Sequence, residues 1–372
     1  VQQERVRLSV LDPASGAWIP LATGTTALEA SSVVNAQAYA RGGEITVKAE
    51  PIYVGNGSDT MLWMSDTQHY TYFEDFVPIY TQVAQYTAAM YQNGEIGYAA
   101  HTGDLVEQND LANWPIADAA HRIMDQAGVP MGVTAGNHDV GNHAAATGYE
   151  SGDYANFQTY FGAWRYEDAD WWGGSPNDNI NHYDLITLGG YDFVMLYLGM
   201  GREASDETVA WANAVLAQYP NRNAVILTHE YLSYKGAYYV DTYGSGNMPV
   251  GQDIFEKIVV PNENVVLVLC GHESGAVTNV KQVGTRTVVE MLADYQTIDL
   301  SHSQQSTDNY WESNGDGFVR LLTFGADGLS FTTYSPTLDR YNAFHSSIDT
   351  GAVALELKAP SRALVTTAFS AV

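Results

Sequence analysis

The sequence is poor in several features that commonly hold or anchor a chain. It contains one cysteine, Cys270, so no internal disulfide can form. Cys270 ends an apolar run and reads as a small core residue. No apolar run reaches the roughly 18 residues that span a bilayer as a helix, so no membrane insertion is expected. Basic residues are scarce: 16 Lys plus Arg face 43 Asp plus Glu, a formal net charge of −27. Such a field repels polyanions at long range, which argues against nucleic acid as a partner. No segment repeats. The chain opens Val1-Gln2-Gln3 with no basic stretch leading into an apolar one. A mature form that has lost its signal peptide opens in the same way, and the expected location is secreted or at the cell surface.

What is present describes a folded protein. The 372 residues are 45% hydrophobic and 12% aromatic, enough for a sizeable core. The acidic excess serves solubility, or some of its carboxylates hold divalent cations.

Residues 1–55 read as an N-terminal β-rich extension. Residues 5–11 alternate apolar and polar, Pro13 to Gly16 supplies a turn, and residues 45–49 alternate again. From residue 56 the grammar becomes strand then helix. Residues 73–91 carry a helical period in which Pro78 either kinks or starts the helix. Residues 111–127, 208–219 and 251–259 read as further helices. Strand pairs at 183–188 with 192–198, 276–283 with 286–291, and 319–324 with 329–334 flank hairpin turns. This body extends to residue 335. Residues 336–372 are rich in Ser, Thr and Ala and read as a strap or linker. An α/β half followed by hairpins predicts two sheets face to face with helices outside, and strand C-termini gathered at one edge.

Five apolar segments end in side chains competent for metal or proton chemistry. They run into Asp66-Thr67-Gln68, Gly103-Asp104, Gly136-Asn137-His138-Asp139, His229 and Gly271-His272. Each residue alone has an ordinary reading, as a helix cap or a turn residue. Their joint order rarely arises by chance.

That order resembles the calcineurin-like metallophosphoesterase superfamily, whose pattern runs D-x-H, G-D, G-N-H-D/E, H, G-H-x-H. The resemblance covers about residues 60–335, and its most specific part is Gly136-Asn137-His138-Asp139. The surrounding text resembles a secreted bacterial subgroup with D-T-Q in the first motif. The resemblance implies an α/β fold, a four-layer α-β-β-α sandwich with an N-terminal β-rich extension, in which residues 56–335 form the catalytic domain. It also implies two divalent metal ions. Asp104 would bridge them, Asp66 and Gln68 would serve the first, and Asn137, His229 and His272 the second. A bridging carboxylate holds two cations ~3.5–4 Å apart with a hydroxide between them. His138 would stand over the phosphate and protonate the leaving oxygen, with Asp139 orienting its ring.

The chain departs from the pattern at the first metal. Gln68 and Ser274 stand where the family has histidines. The remaining ligands are oxygens, which suit Mg, Mn or Ca, whereas the second site suits Mn, Fe or Zn. Three alternatives stand beside this reading: Glu273 swings in as a ligand, His69 replaces Gln68 by a one-residue slip, or Ser274 is itself a substituted position. The expected activity is phosphoester hydrolysis, favouring a phosphodiester, with extracellular glycopolymers or small diesters as substrate classes. A phosphomonoesterase and a degenerate glycan- or phosphate-binding module are the alternatives. Two aromatic-rich regions, 164–172 and 231–243, read as plugs on the core or as walls of the cleft. His182 and Tyr183, after the Gly-rich 171–181 loop, read as a substrate contact or as the start of a strand.

Overall fold

The computed structural model describes residues 6–24, 39–42, 44–51, 55–141, 152–242, 247–298, 315–359 and 365–370. The chain divides into two compact units, Val1–Val54 with Pro360–Val372, and Gly55–Ala359. In the first, β1 (Val6–Leu11) pairs antiparallel with β2 (Trp18–Gly24) and with β3 (Glu44–Pro51). The alternation seen in the sequence therefore forms a sheet.

In the second unit, β4 (Thr60–Met64), β5 (Tyr98–His101) and β6 (Met131–Val133) lie parallel. Helix α1 (Val77–Gln92) follows β4 and α2 (Trp114–Gln126) follows β5. Pro78 sits in the first turn of α1 and Pro115 in the first turn of α2, where the missing N–H costs no hydrogen bond. Pro78 thus starts its helix. Helix α3 (Ala155–Phe161) leads to a second sheet built from β7 (Trp172–Gly174), β8 (His182–Leu188) and β9 (Tyr191–Tyr197). Helix α4 (Asp206–Gln218) precedes β10 (Asn223–Leu227), and Ser205 caps it by accepting from the Thr208 amide at 3.2 Å. Helix α5 (Val250–Ile254) passes into a π-helical turn before β11 (Val265–Cys270). The hairpin of β12 (Gly275–Val283) and β13 (Arg286–Asp294) completes this sheet, with order β12-β13-β11-β10-β9-β8-β7. The chain then returns to the first sheet with β14 (Val319–Gly325), β15 (Gly328–Ser335), β16 (Arg340–Tyr341) and β17 (Thr350–Val353). Residues 340–353, read above as a strap, therefore add strands to the edge of that sheet. The last strand, β18 (Val365–Ser370), pairs antiparallel with β3 in the first unit.

The central strands, among them β4, β5, β9, β10 and β11, are buried on both faces, and their side chains sort by alternation into different cores. In β4, Leu62 and Met64 pack with Tyr80, Val83 and Ala84 of α1 and with Trp114 and Ala117 of α2, whereas Met61 and Trp63 point between the sheets. In β9, Phe193, Met195 and Tyr197 face the inter-sheet core while Val194 and Leu196 pack with Val215 and Leu216 of α4. Three cores separate four layers, which is the expected α-β-β-α sandwich. Phe193 lies 4.7 Å from the Phe324 ring of the opposite sheet. Phe193→Ala should destabilise by about 3–5 kcal/mol, read from urea unfolding of the whole chain. A loss below about 1 kcal/mol would mean that the sheets do not meet at this position.

Candidate metal centre

The C-terminal ends of β4, β5, β6, β10, β11 and β13 converge on one rim. Beyond β4 stands Asp66, beyond β5 Asp104, beyond β6 Asn137 and His138, beyond β10 His229 and beyond β11 His272. Three of these residues have left-handed backbone: Asp66 (φ 55°), Asp104 (φ 58°) and His272 (φ 76°). Each such conformation costs a non-glycine residue about 1–3 kcal/mol and persists only where the surroundings enforce it. The enforcement is visible. The Asp66 amide donates to the Gly103 carbonyl (3.0 Å) and the Thr67 amide to the Asp104 carbonyl (2.9 Å), tying the two loops together. The His101 Nδ1 accepts from the Gly103 amide (3.1 Å), so its Nε2 carries the proton toward Thr67 Oγ1 (2.9 Å). Burial pushes the His101 pKa down to about 3, which keeps the ring neutral.

The motif glycines are there for space. A Cβ on Gly136 would overlap the Asp104 carboxylate, and one on Gly271 would overlap Ser65 Oγ and Asp66 Oδ2. Gly136→Ala should therefore displace Asp104 and weaken cation binding at least about tenfold, the scale on which disturbed metal surroundings act. Calorimetric titration with Mn²⁺ reads this directly, and unchanged affinity would refute it.

The side chains form two adjoining clusters. In one, Asp66, Asp104 and His229, all buried, offer ligand atoms that lie within 4.8 Å of one another. In the other, the His229 Nδ1 faces the Thr102 carbonyl (2.9 Å), so Nδ1 carries the proton and Nε2 presents a lone pair. That lone pair lies 3.0 Å from Asn137 Oδ1 and 3.2 Å from His272 Nδ1, which is itself 2.9 Å from Asn137 Oδ1. Three atoms that present lone pairs when both rings are neutral converge on one point, an arrangement that a cation satisfies. His272 Nε2 is held by the Tyr239 hydroxyl (2.8 Å), with Glu230 3.5 Å away. Burial alone would lower the His229 pKa, but the Asp104 carboxylate, with Asp66 and Glu230, pushes it well above the usual range. Protons therefore compete with cations for Nε2, and cation affinity should fall as pH falls.

Gln68 donates Nε2–H to Asp104 Oδ2 (3.1 Å), and its buried Oε1 has no hydrogen-bond donor among the described residues. The donor set thus fits two cations, one with imidazole and amide ligands and one with oxygens. Asp66, Gln68, Asp104, Asn137, His229 and His272 lie together at this rim. Of the alternatives for the first position, Glu273 Oε2 is engaged by the Tyr234 amide (2.7 Å). His69 is buried beside Glu107, 3.8 Å from its carboxylate, and stacks edgewise on Phe73. Ser274 lines the cavity and donates to Asp294 Oδ2 (3.2 Å).

His138 lies at the mouth of the cavity, its backbone amide donating to Asp104 Oδ1 (3.0 Å). Its ring is oriented from Glu107, whose carbonyl takes Nδ1 at 2.8 Å and whose carboxylate lies 3.7 Å away. Burial opposes the charged ring, but Asp104 and Glu107 outweigh it and raise the His138 pKa. Asp139 is corrected to a different task. Its fully buried carboxylate accepts from the Gly136, Leu105 and Val106 amides, so it clamps two loops instead of holding the His138 ring. Burial, then Asp104, pushes its pKa up to about 7.

His182 and Tyr183 are not brought to this cavity. His182 is buried in a stack between Trp172 (5.1 Å) and Tyr197 (4.1 Å), and Tyr183 packs near Tyr219. Their strand is covered on both faces, which removes them from substrate. The aromatic regions divide likewise. Trp172 joins the core, whereas Tyr234 and Tyr239 wall a cavity of about 420 Å³ together with Glu273 and Gln296. Tyr243 lies outside the described residues.

Several residues at the site escaped the sequence reading. Asp294 ends β13 three residues beyond the expected strand end, fully buried, its pKa raised to about 7 by burial. The strand-end rule that found the others would have found it, had the strand been drawn to its full length. Glu107 and Glu230 carry no motif signal.

The sequence pattern of the family described as calcineurin-like phosphoesterase matches residues 60–275. The protein YvnB of Bacillus subtilis strain 168, itself uncharacterised, is 36% identical over 313 residues, covering 80% of this chain and 22% of that protein. The chain thus spans about a fifth of the length of this relative. Among solved structures, a purple acid phosphatase from yellow lupin seeds is similar at 13% identity and a TM-score of 0.45, over 92% of this chain and 69% of that one. A dimetal phosphatase from Danio rerio is similar at 9% identity and a TM-score of 0.42, over 77% and 99%.

Proposed function

The chain belongs to the calcineurin-like phosphoesterase family, and from that premise we propose that it is a metal-dependent phosphodiesterase. The observation that carries the reading is the convergence of His229 Nε2, His272 Nδ1 and Asn137 Oδ1 beside the buried Asp66–Asp104 pair. Asp66, Gln68 and Asp104 would hold a hard cation such as Mg, Mn or Ca, and Asp104, Asn137, His229 and His272 a second, Mn, Fe or Zn. Bound there, two cations supply Lewis acidity toward the phosphoryl oxygens and a nucleophile at neutral pH.

The chain's own groups supply the rest. His138, with its pKa raised, holds a proton at the cavity mouth and delivers it to the departing alkoxide. The Glu107 carbonyl holds one proton on Nδ1, so the proton that the charged ring gives up is the one on Nε2. The Tyr234 and Tyr239 rings give the second alcohol of a diester an apolar wall, which favours a diester over a monoester. Glycopolymer phosphodiesters or small diesters outside the cell fit this reading, since the net charge of −27 disfavours nucleic acid.

The test is turnover of bis-p-nitrophenyl phosphate and p-nitrophenyl phosphate by the metal-stripped protein, titrated separately with Mn²⁺, Mg²⁺, Ca²⁺ and Zn²⁺. Recovery with the diester above the monoester supports the reading. Recovery with the monoester alone turns it to a phosphomonoesterase, and no recovery with any cation overturns it.

A further inference from the structure

Behind Asp66 runs a chain of three hydrogen bonds with one possible direction. The Trp63 indole Nε1–H, a donor only, meets Thr102 Oγ1 at 2.9 Å. Having accepted that bond, Thr102 donates its own proton to Ser65 Oγ at 2.7 Å. Ser65 in turn donates to Asp66 Oδ2 at 2.5 Å. Trp63 and Thr102 are buried. The indole only donates, and Ser65 gives its single proton to the Asp66 carboxylate and so accepts from Thr102, which points every bond toward Asp66. Bonds aligned in this way polarise one another in a dry interior.

The consequence falls on the rotation of one carboxylate. Asp66 Oδ2 is committed to Ser65, and the His272 amide spans both oxygens at 3.1 and 3.2 Å. This fixes the carboxylate plane and leaves the in-plane lone pair of Oδ1 for a cation. Asp66 needs such support. Its backbone is left-handed, and Gly271 lies against the Ser65–Asp66 pair with no room for a Cβ. The oxygen ligands proposed for the first cation provide no imidazole to lock the geometry, so orientation has to come from behind the ligand.

We infer that Trp63, Thr102 and Ser65 form a directional hydrogen-bond chain that aims Asp66 at the first cation, making Thr102 and Ser65 positioning residues of the metal centre. The inference rests on the phosphodiesterase reading only in taking Asp66 as a cation ligand. Its test is calorimetric titration of the metal-stripped full chain with Mn²⁺. Thr102→Val keeps shape and removes the hydroxyl, Thr102→Ser restores it, and Asp66→Ala marks the binding step that belongs to Asp66. In Thr102→Val, that same step should weaken about tenfold or more, the range seen when support behind a ligand is lost. The other step should stay within about twofold, and Thr102→Ser should recover the native value. Native affinity at both steps in Thr102→Val would overturn the inference. So would equal weakening of both steps with a lowered Tm that Thr102→Ser does not repair, which marks a packing role, and so would a native chain that binds no Mn²⁺. Native turnover of bis-p-nitrophenyl phosphate, measured on the same samples, separates the two proposals. The expected Mn²⁺ pattern without turnover keeps the chain of bonds and removes the phosphodiesterase.

Discussion

Asp104→Asn should lower turnover of bis-p-nitrophenyl phosphate by about 10³-fold and release at least one bound cation. The side chain is the junction of the site. Its Oδ1 accepts from the His138 amide and lies 3.4 Å from His229 Nε2, and its Oδ2 accepts from Gln68. Burial opposes its charge, but His229 and His138 outweigh that and hold its pKa below the usual carboxylate range, so it is ionised at every working pH. The amide keeps the shape but removes the negative charge. It places an NH₂ where a cation or a donor must come, either opposite His229 or opposite Gln68. Several kcal/mol of transition-state stabilisation by metal ions depend on it, and each 1.36 kcal/mol is a decade in rate. Metal content and kcat/KM measured on the same preparation test this. Two retained ions with activity within tenfold of native would refute the bridging role proposed for Asp104.

His138→Ala should lower kcat by about 10²–10⁴-fold while leaving both cations bound, because the ring is held by Glu107 and is not among the proposed ligands. The loss should be largest for a diester of an alkyl alcohol, whose leaving oxygen needs a proton. It should be smaller for p-nitrophenolate, which leaves without one. Equal losses for both leaving groups would assign the ring to binding rather than to proton delivery. The pH dependence follows from the charges around it. Asp104 and Glu107 raise the His138 pKa against the effect of burial, and the proton-donating form is lost as pH rises through that raised value. Glu107→Gln removes one of the two carboxylates and retains the backbone carbonyl that holds Nδ1. The alkaline limb of the rate profile should then move to lower pH, with the acid limb unchanged. A limb that stays in place would mean that Glu107 does not tune the ring.

The predictions draw unequally on sequence and structure. Asp66, Asp104, Asn137, His229 and His272 were legible because each follows an apolar strand directly, and strand ends in a sheet of this kind meet on one rim. The glycines beside them were legible as turns, though their reason, space for Asp104 and for Ser65, is a matter of neighbours from other strands. His182 misled for the same local reason that the others succeeded. It stands between a Gly-rich loop and a strand, and only the stack on Trp172 and Tyr197 shows that its strand is covered on both sides. Asp139 is adjacent in sequence to the residue it was expected to orient, yet its carboxylate is taken up by the Leu105, Val106 and Gly136 amides.

The sequence by itself determined most of the strands and helices between residues 60 and 335, the four layers and the candidate ligands at the strand ends. Hydrophobic alternation, prolines at helix starts and motif spacing are local, and they survive in one dimension. The tertiary structure decided which groups stand behind those ligands. Glu107 reaches His138 across 31 positions, Thr102 reaches Ser65 across 37, and Asp294 sits beside Ser274 across 20. Such pairs arise from the crossing of loops at a sheet edge. No periodicity encodes them, because a hydrogen bond depends on where two side chains end and not on how far apart they begin.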